Sequence, residues 1–173
     1  GYGDLSQEAG RPIPNNHEGW GRVNVGAATS GTRGFHDGDT LSTGLTASYS
    51  YQVGFAGVPF KVTLAWTDFP ATAPSAGGLV DNLNLRVTAP DGSKYWGNHF
   101  GGGWSVTGGS ADITNNVESV YIRTPTSGAW KIEVVGANVP MGPQPFALVV
   151  TGWLGAPPVF DNAVYMPVIS KNH

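Results

Sequence analysis

Between Leu45 and Thr151 apolar side chains recur at every second position, in short runs. Tyr49, Tyr51 and Val53 alternate with Ser48, Ser50 and Gln52. Val62, Leu64 and Trp66 alternate with Lys61, Thr63, Ala65 and Thr67. Leu83, Leu85 and Val87 alternate with Asn82, Asn84, Arg86 and Thr88. Three further runs centre on Val120 and Ile122, on Trp130, Ile132 and Val134, and on Phe146, Leu148 and Val150. Successive side chains of a strand point to opposite faces, so a period of two means one buried and one wet face. Antiparallel sheets produce that pattern. Six such runs with almost no helical period predict an all-β chain, an antiparallel, jelly-roll-like β-sandwich. Trp66, Leu85, Ile132 and Leu148 take inward positions on four different strands, so they are expected to meet in one core.

Turn chemistry separates the runs. In Ala89-Pro90-Asp91-Gly92 and Pro125-Thr126-Ser127-Gly128 the proline presets φ and the glycine supplies a positive φ. The stretches 69–79 and 97–117 are long for loops, and loops beyond about 12–15 residues tend to be functional or mobile. Upstream of Leu45 the period of two is absent. Residues 1–14, with Gly1, Gly3, Gly10, Pro12 and Pro14, read as an irregular segment, expected to be poorly ordered when alone. Asn15 or Asn16 can cap a helix, but Gly19 and Gly21 weaken it, which leaves at most two helical turns near 20–29. The expected division is a leading segment 1–30, a linker 31–42, a β-sandwich 43–153 and a tail 154–173. The tail carries an apolar run from Val164 to Ile169.

Composition narrows the function. The 173 residues suffice for one domain with flanking segments. Gly at 26 and Pro at 13 coexist with many β-branched and aromatic residues, which fits turns between short strands rather than disorder. Charged residues make up 12%, the net charge is −3, and the nine lysines and arginines are scattered. No nucleic-acid surface is expected from that pattern. No apolar run approaches the ~20 residues of a bilayer span, so no membrane partner is expected. No signal peptide is read; one would lie upstream. With no cysteine, disulfides and thiolate metal sites are excluded.

Asn15-Asn16-His17-Glu18-Gly19-Trp20-Gly21-Arg22-Val23-Asn24-Val25, followed by Gly26-Ala27-Ala28, resembles the closing helix of a subtilisin-family serine protease domain, a segment that follows the catalytic serine. Downstream, Leu64 to Asp68, Leu79 to Leu85, Asp112 to Glu118 and Val139 to Leu148 resemble, in order, the C-terminal β-barrel appended to large alkaline subtilases. Together the blocks cover roughly 12–152. The resemblance implies that segment 1–30 is the C-terminal edge of a catalytic domain. It implies that the rest is an accessory domain of a secreted subtilisin-like endopeptidase. That domain would pack on the catalytic domain, stabilise it, and help steer protein substrates.

The chemistry is weighed residue by residue. A subtilase serine sits in a Gly-Thr-Ser context, which no serine here has, so no catalytic residue is expected in this chain. A triad of His36, Asp39 and a nearby serine competes with a solvated loop histidine, the more ordinary outcome. His17, His36, His99 and His173 lack zinc-ligand spacing. A glycosidase pair drawn from Asp68, Asp81 and Glu118 would need stacking aromatics. Tyr95, Trp96 and Trp104 in an exposed row would instead mark a carbohydrate- or surface-polymer-binding module, the alternative function. Asp68 ends one strand, Asp81 begins the next, and Asp112, Asn115, Asn116 and Glu118 form a polar run. Calcium takes 6–8 oxygen ligands of these types. Asp68, Asp81, Asp112 and Glu118 are therefore candidate calcium ligands, against the plainer reading of Asx-turns. Subtilase barrels often carry calcium, but their motif reads Leu-Val-Asn-Asp-Leu-Asp-Leu. Here Asp81-Asn82 and Asn84 shift one carboxylate and replace another by an amide.

Overall fold

The computed structural model describes residues 15, 19–21, 23–29, 33–71 and 78–155. The expectations for 1–14, for His17 and for the tail beyond Gly155 lie outside the described residues. One helical turn, α1 (Val25–Thr29), precedes ten strands. These are β1 (Arg33–Leu41), β2 (Thr46–Val53), β3 (Phe60–Ala65), β4 (Asn82–Thr88), β5 (Lys94–Trp96), β6 (Phe100–Gly101), β7 (Trp104–Ser105), β8 (Val117–Ile122), β9 (Gly128–Asn138) and β10 (Gln144–Thr151).

All strand pairs are antiparallel. The first sheet runs β1-β10-β3-β8, the second β2-β9-β4-β5, and β6-β7 is a small separate hairpin. The chain passes from sheet to sheet at β1→β2, β2→β3, β3→β4, β8→β9 and β9→β10. Apart from the hairpin, eight strands wrap so that the last lies between the first and the third. This is an antiparallel β-sandwich, the arrangement of layers that the alternation predicts.

The two inner faces enclose one core. Trp66, Leu85, Ile132 and Leu148 all belong to it, with Phe60, Val62, Leu64, Leu83, Val87, Val120, Trp130 and Val134. Trp130 anchors it, 5.0 Å from the Phe60 ring and stacked at 6.2 Å on Tyr95. Its indole N–H, which cannot be left unpaired in a core, donates to the Thr126 carbonyl at 2.9 Å. The Ala89–Gly92 turn closes as its sequence demands. Gly92 has φ 86°, its N–H meets the Ala89 carbonyl at 2.9 Å, and Asp91 caps the Ser93 N–H.

The structure corrects one boundary. Residues 31–42 are not a linker: β1 fills Arg33–Leu41 and pairs with β10 along its length. The strand escaped the apolar pattern because its inward positions are Gly34 and His36 and its rim carries Asp37, Gly38 and Asp39 around a register shift. As an edge strand it meets β2 of the other sheet across an open side of the sandwich. There the His36 Nε2 lies 2.8 Å from the Tyr51 hydroxyl, and the Tyr49 hydroxyl donates to Asp39 at 2.5 Å. His36 is therefore part of a polar seam, not a solvated loop histidine.

The opposite side is closed by the chain itself. The Gly97 N–H donates to the Leu85 carbonyl of β4, and the Asn98 N–H to the Ser119 carbonyl of β8. Asn98 reaches this position at φ 59°, a left-handed value that asparagine tolerates better than most residues. Its Oδ1 accepts the Ser119 N–H, and the Ser105 hydroxyl oxygen accepts the Tyr121 N–H. Side chains thus fill the outer hydrogen-bonding edge of β8.

Candidate functional site

Asp68, Asp81, Asp112 and Glu118 all lie toward one end of the sandwich, where β3 ends and β4 and β8 begin. They do different work there. Asp68 closes the excursion between β3 and β4. One carboxylate oxygen accepts the Phe69 and Asp81 N–H groups at 2.9 and 2.8 Å, and the other accepts the Val80 N–H at 2.8 Å. Asp81, 1% exposed, accepts the Met141 N–H on Oδ1, while its carbonyl takes the Trp66 indole N–H. Asn116 donates to the Trp66 carbonyl and Gln144 to the Thr67 carbonyl. Four chain segments are laced together at this rim through backbone groups that strand ends leave unpaired.

Asp112 makes an Asx-type turn. Its oxygens accept the Thr114 and Asn115 N–H groups and the side-chain amides of Asn98 and Asn115. Burial opposes its ionisation, but these four hydrogen bonds prevail and hold its carboxyl below the usual carboxylate range.

Glu118 is the outlier. It is an inward-facing residue of β8 with 0% exposure, between the sheets. Its Oε2 accepts the Leu85 N–H at 2.8 Å, just beyond the point where β5 stops pairing with β4. Its Oε1 is buried without a partner. A Cβ on Gly97 would collide with Oε2, so only glycine fits beside this carboxyl. Burial pushes the Glu118 carboxyl up to about 8; the Leu85 N–H pulls it down, and the Asp112 charge raises it further.

Among the described residues no three His, Asp or Glu side chains converge to hold a metal. The four carboxylates are therefore not one ligand set. Asp68 and Asp112 already give their lone pairs to N–H donors. Among the described residues, the buried side-chain oxygens that lack partners are Asp81 Oδ2, Asn82 Oδ1, Asn84 Oδ1 and Glu118 Oε1. Three of them lie within the short run 81–84, where the sequence departs from the subtilase motif.

A second feature lies on the outer face of the first sheet. Tyr121 points away from the core, yet it is only 3% exposed. Trp20 covers it edge-on at 5.8 Å and meets Phe100 at 6.0 Å. Asn15 and Gly19 hold the approach to Trp20 through two reciprocal backbone hydrogen bonds of 3.1 and 2.8 Å. Beside Trp20 a cleft of about 360 Å³ is lined by Asn98, Phe100, Asn115 and Asn116. Lys61 lies 4.8 Å from the Tyr121 ring and 5.8 Å from the Trp104 ring, which Arg123 also approaches. The roles of Asn98 and Trp20 went unread in the sequence. A Gly-Asn pair directly after a strand was the available signal for Asn98, since both residues accept left-handed backbone.

Tyr95, Trp96 and Trp104 do not form a row. Tyr95 stacks toward the core on Trp130, Trp96 lies over Arg86 on the second sheet, and Trp104 sits over the first. The planar platform that would mark a glycan-binding module is therefore not formed. Among the described residues no helix is long and apolar enough to cross a membrane.

No protein-family model matches the chain. Two solved structures share weak likeness. A Bacillus licheniformis lipase in its propeptide form is 15% identical with a TM-score of 0.38, over 70% of this chain and 22% of that one. A protein of Sulfurospirillum deleyianum is 7% identical with a TM-score of 0.39, over 70% and 98%. Scores this low carry no argument. Curated proteins are nearer in sequence. The chain is 32% identical over 154 residues to the "Serine protease/ABC transporter B family protein tagB" of Dictyostelium discoideum, covering 78% of this chain and 8% of that protein. It is 32% identical over 129 residues to tagD of the same description and organism, covering 65% and 7%. The chain thus spans less than a tenth of these curated relatives, and it is similar to a segment of proteins that carry serine protease in their names.

Proposed function

We propose that this chain is an accessory domain of a secreted, subtilisin-like serine endopeptidase, which stabilises the catalytic domain ahead of it and helps present protein substrates. The observation that carries this reading is the 32% identity over 154 residues to a protein named as a serine protease. That alignment is long enough to take in most of the sandwich. The docking of Trp20 on Phe100 and Tyr121 supports it further, because the leading segment is physically joined to the sandwich. In this reading the domain contributes no catalytic residue of its own. The partner is the catalytic domain of the same polypeptide.

Calcium enters the proposal in a narrower form than the sequence pattern suggests. Asp81 Oδ2, Asn82 Oδ1 and Asn84 Oδ1 are the oxygens left to hold it, since buried oxygens without donors call for an ion or an ordered water. A cation there would act on stability by tying down the start of β4.

The test uses the catalytic domain with and without this chain, and the chain alone. Deleting residues 33–173 is expected to lower the melting temperature of the protease while leaving hydrolysis of a short chromogenic peptide intact. The isolated chain is expected to hydrolyse neither casein nor that peptide. Inhibitor-sensitive turnover by the isolated chain, lost on mutating one of its own serines, would overturn the proposal.

A further inference from the structure

We propose that the outer edge of β2 is a docking strip for the chain's own continuation, residues 156–161, which add there as an antiparallel strand and close the open side of the sandwich.

The two large sheets leave four edge strands, β1, β8, β2 and β5. The unpaired backbone of an edge recruits another strand unless charge, proline, a bulge or a cover prevents it. Three of these edges are protected. β8 is filled by Asn98 and Ser105. β5 has three residues, carries Lys94, and is bridged at Tyr95 by Gly108. β1 carries Arg33, Asp37 and Asp39 and a register shift. β2 differs. Its eight residues, Thr46 to Val53, include no charge and no proline, and it pairs with β9 without a register shift. Among the described residues, its outer edge meets other backbone only at its Val53 end.

The occupant follows from what meets it there. After β10 the chain leaves the first sheet and crosses to the second, where Leu154 forms an antiparallel bridge with Val53. The Gly54 N–H donates to the Trp153 carbonyl at 3.0 Å, and the Gly155 N–H to the Gln52 carbonyl at 2.8 Å. The Trp153 ring lies edge-on to Phe55 at 5.8 Å, and Leu154 packs against the core. An antiparallel start at Val53 aims the chain along β2 toward Thr46. Carried on in the same register, Ala156 falls opposite Tyr51, Pro158 opposite Tyr49 and Phe160 opposite Ala47. Alternation puts this set on the inward face with Leu154, where Ala47, Tyr49 and Tyr51 are only partly buried. Every inward position of that register is apolar. Gly155, Pro157, Val159 and Asp161 fall opposite Gln52, Ser50, Ser48 and Thr46 on the wet face. The prolines suit an edge. The bonds flanking Val53 and Leu154 make them a non-hydrogen-bonded pair, so the Pro158 nitrogen points away from β2 and blunts the new edge. Pro157 forgoes a single bond, to the Ser50 carbonyl.

The chain has no cysteine, so thiol pairs can be placed in all 173 residues without background. Ala47→Cys with Phe160→Cys sets two thiols opposite each other in a non-hydrogen-bonded pair, the geometry in which side chains of adjacent strands come closest. Ala47→Cys with Val159→Cys puts the second thiol on the other face. In a glutathione redox buffer the first pair is expected to form its intramolecular disulfide with an effective concentration about tenfold or more above the second. Equal values for the two pairs, or no intramolecular disulfide, would overturn the proposal. A disulfide between chains, with a dimer by light scattering, would overturn it in favour of a second copy on this edge. Amide exchange followed by NMR reads the same edge in the unsubstituted chain. Gln52 turns its carbonyl outward, so the N–H groups of Ser48 and Ser50 also point away from β9, and those of Tyr49 and Tyr51 point toward it. Removing residues 156–173 is expected to speed exchange at Ser48 and Ser50 about tenfold or more and to leave Tyr49 and Tyr51 as they were. Unchanged rates at Ser48 and Ser50 would overturn the proposal. A rise shared equally by all four amides is loss of the sheet itself, and the disulfide comparison then decides.

Discussion

Replacing Glu118 by glutamine is expected to remove a loss of stability that grows as pH rises from 5 to 8. Glu118 is fully buried, with one oxygen on the Leu85 N–H and the other without a partner. Its carboxyl is raised from 4.5 to about 8. A folded value above the unfolded one means that the folded state holds the proton more tightly. The stability it contributes is full below pH ~4.5 and is lost as pH rises toward 8. At about 1.4 kcal/mol per unit, the loss is on the order of 4–5 kcal/mol across that window. Asp112 and Glu133 are shifted the other way, so their contribution is present above the unfolded carboxylate range and lost only as pH falls through and below it. Neither of them offsets the loss at Glu118 above pH 5. The glutamine of the Glu118→Gln variant keeps an oxygen for the Leu85 N–H and cannot ionise. Urea unfolding of both proteins at pH 5, 6, 7 and 8, in EDTA, gives the difference directly, and every other titrating group cancels in it. The variant should match the parent within about 1 kcal/mol at pH 5 and exceed it by several kcal/mol at pH 8, an order-of-magnitude expectation from the same shift. Two profiles that stay parallel would show that Glu118 ionises as easily folded as unfolded, and the burial argument would fail.

Leu85→Ala removes a side chain with no exposure from the centre of the core and should destabilise by about 2–5 kcal/mol in urea unfolding; a change near zero would contradict the observed register. Asn98→Ala leaves the Ser119 N–H without its side-chain acceptor at a left-handed position, and a loss of about 1–3 kcal/mol is expected. Asn98→Asp keeps the acceptor oxygen but replaces the amide that donates to Asp112 and to the Val117 carbonyl by a second carboxylate, so it should lose at least as much as alanine, and parent-like stability would sink the bridging role. Removing calcium with EGTA should lower the melting temperature, with calcium restoring it better than magnesium. An unchanged curve with no metal by elemental analysis would leave ordered water as the partner of Asp81, Asn82 and Asn84.

Legibility in the sequence followed the number of apolar atoms at stake. β3, β4, β9 and β10 alternate because each lies inside a sheet and covers the core with Val, Leu, Ile, Phe or Trp. β1 covers a polar seam with His36 and Gly34, so its period left no apolar trace. The rim acids were legible as a group by their position at strand ends. Their separate roles were not, because a carboxylate facing three N–H groups and one facing a single N–H are written with the same kind of letter. Asp68 and Glu118 differ in where the backbone around them goes. The closing of the β8 edge by Asn98 and Ser105 is a tertiary event, invisible to any local pattern.

The position of β10 governs how the domain can come into being. The last strand is interior: it lies between β1 and β3, and its residues pair with partners in β1 more than a hundred positions earlier in the chain. Until Thr151 has left the ribosome, β1 has no sheet partner and β3 has only β8. A nascent chain stopped short of Gln144 would carry one unpaired and one half-paired strand, and no smaller sandwich is available to it. Folding that waits on such distant pairs falls at the slow, millisecond-to-second end of the range for small domains. Whatever precedes the sandwich in the polypeptide has that interval in which to fold first. Loss of the eight residues of β10 removes the middle of a sheet rather than trimming its edge.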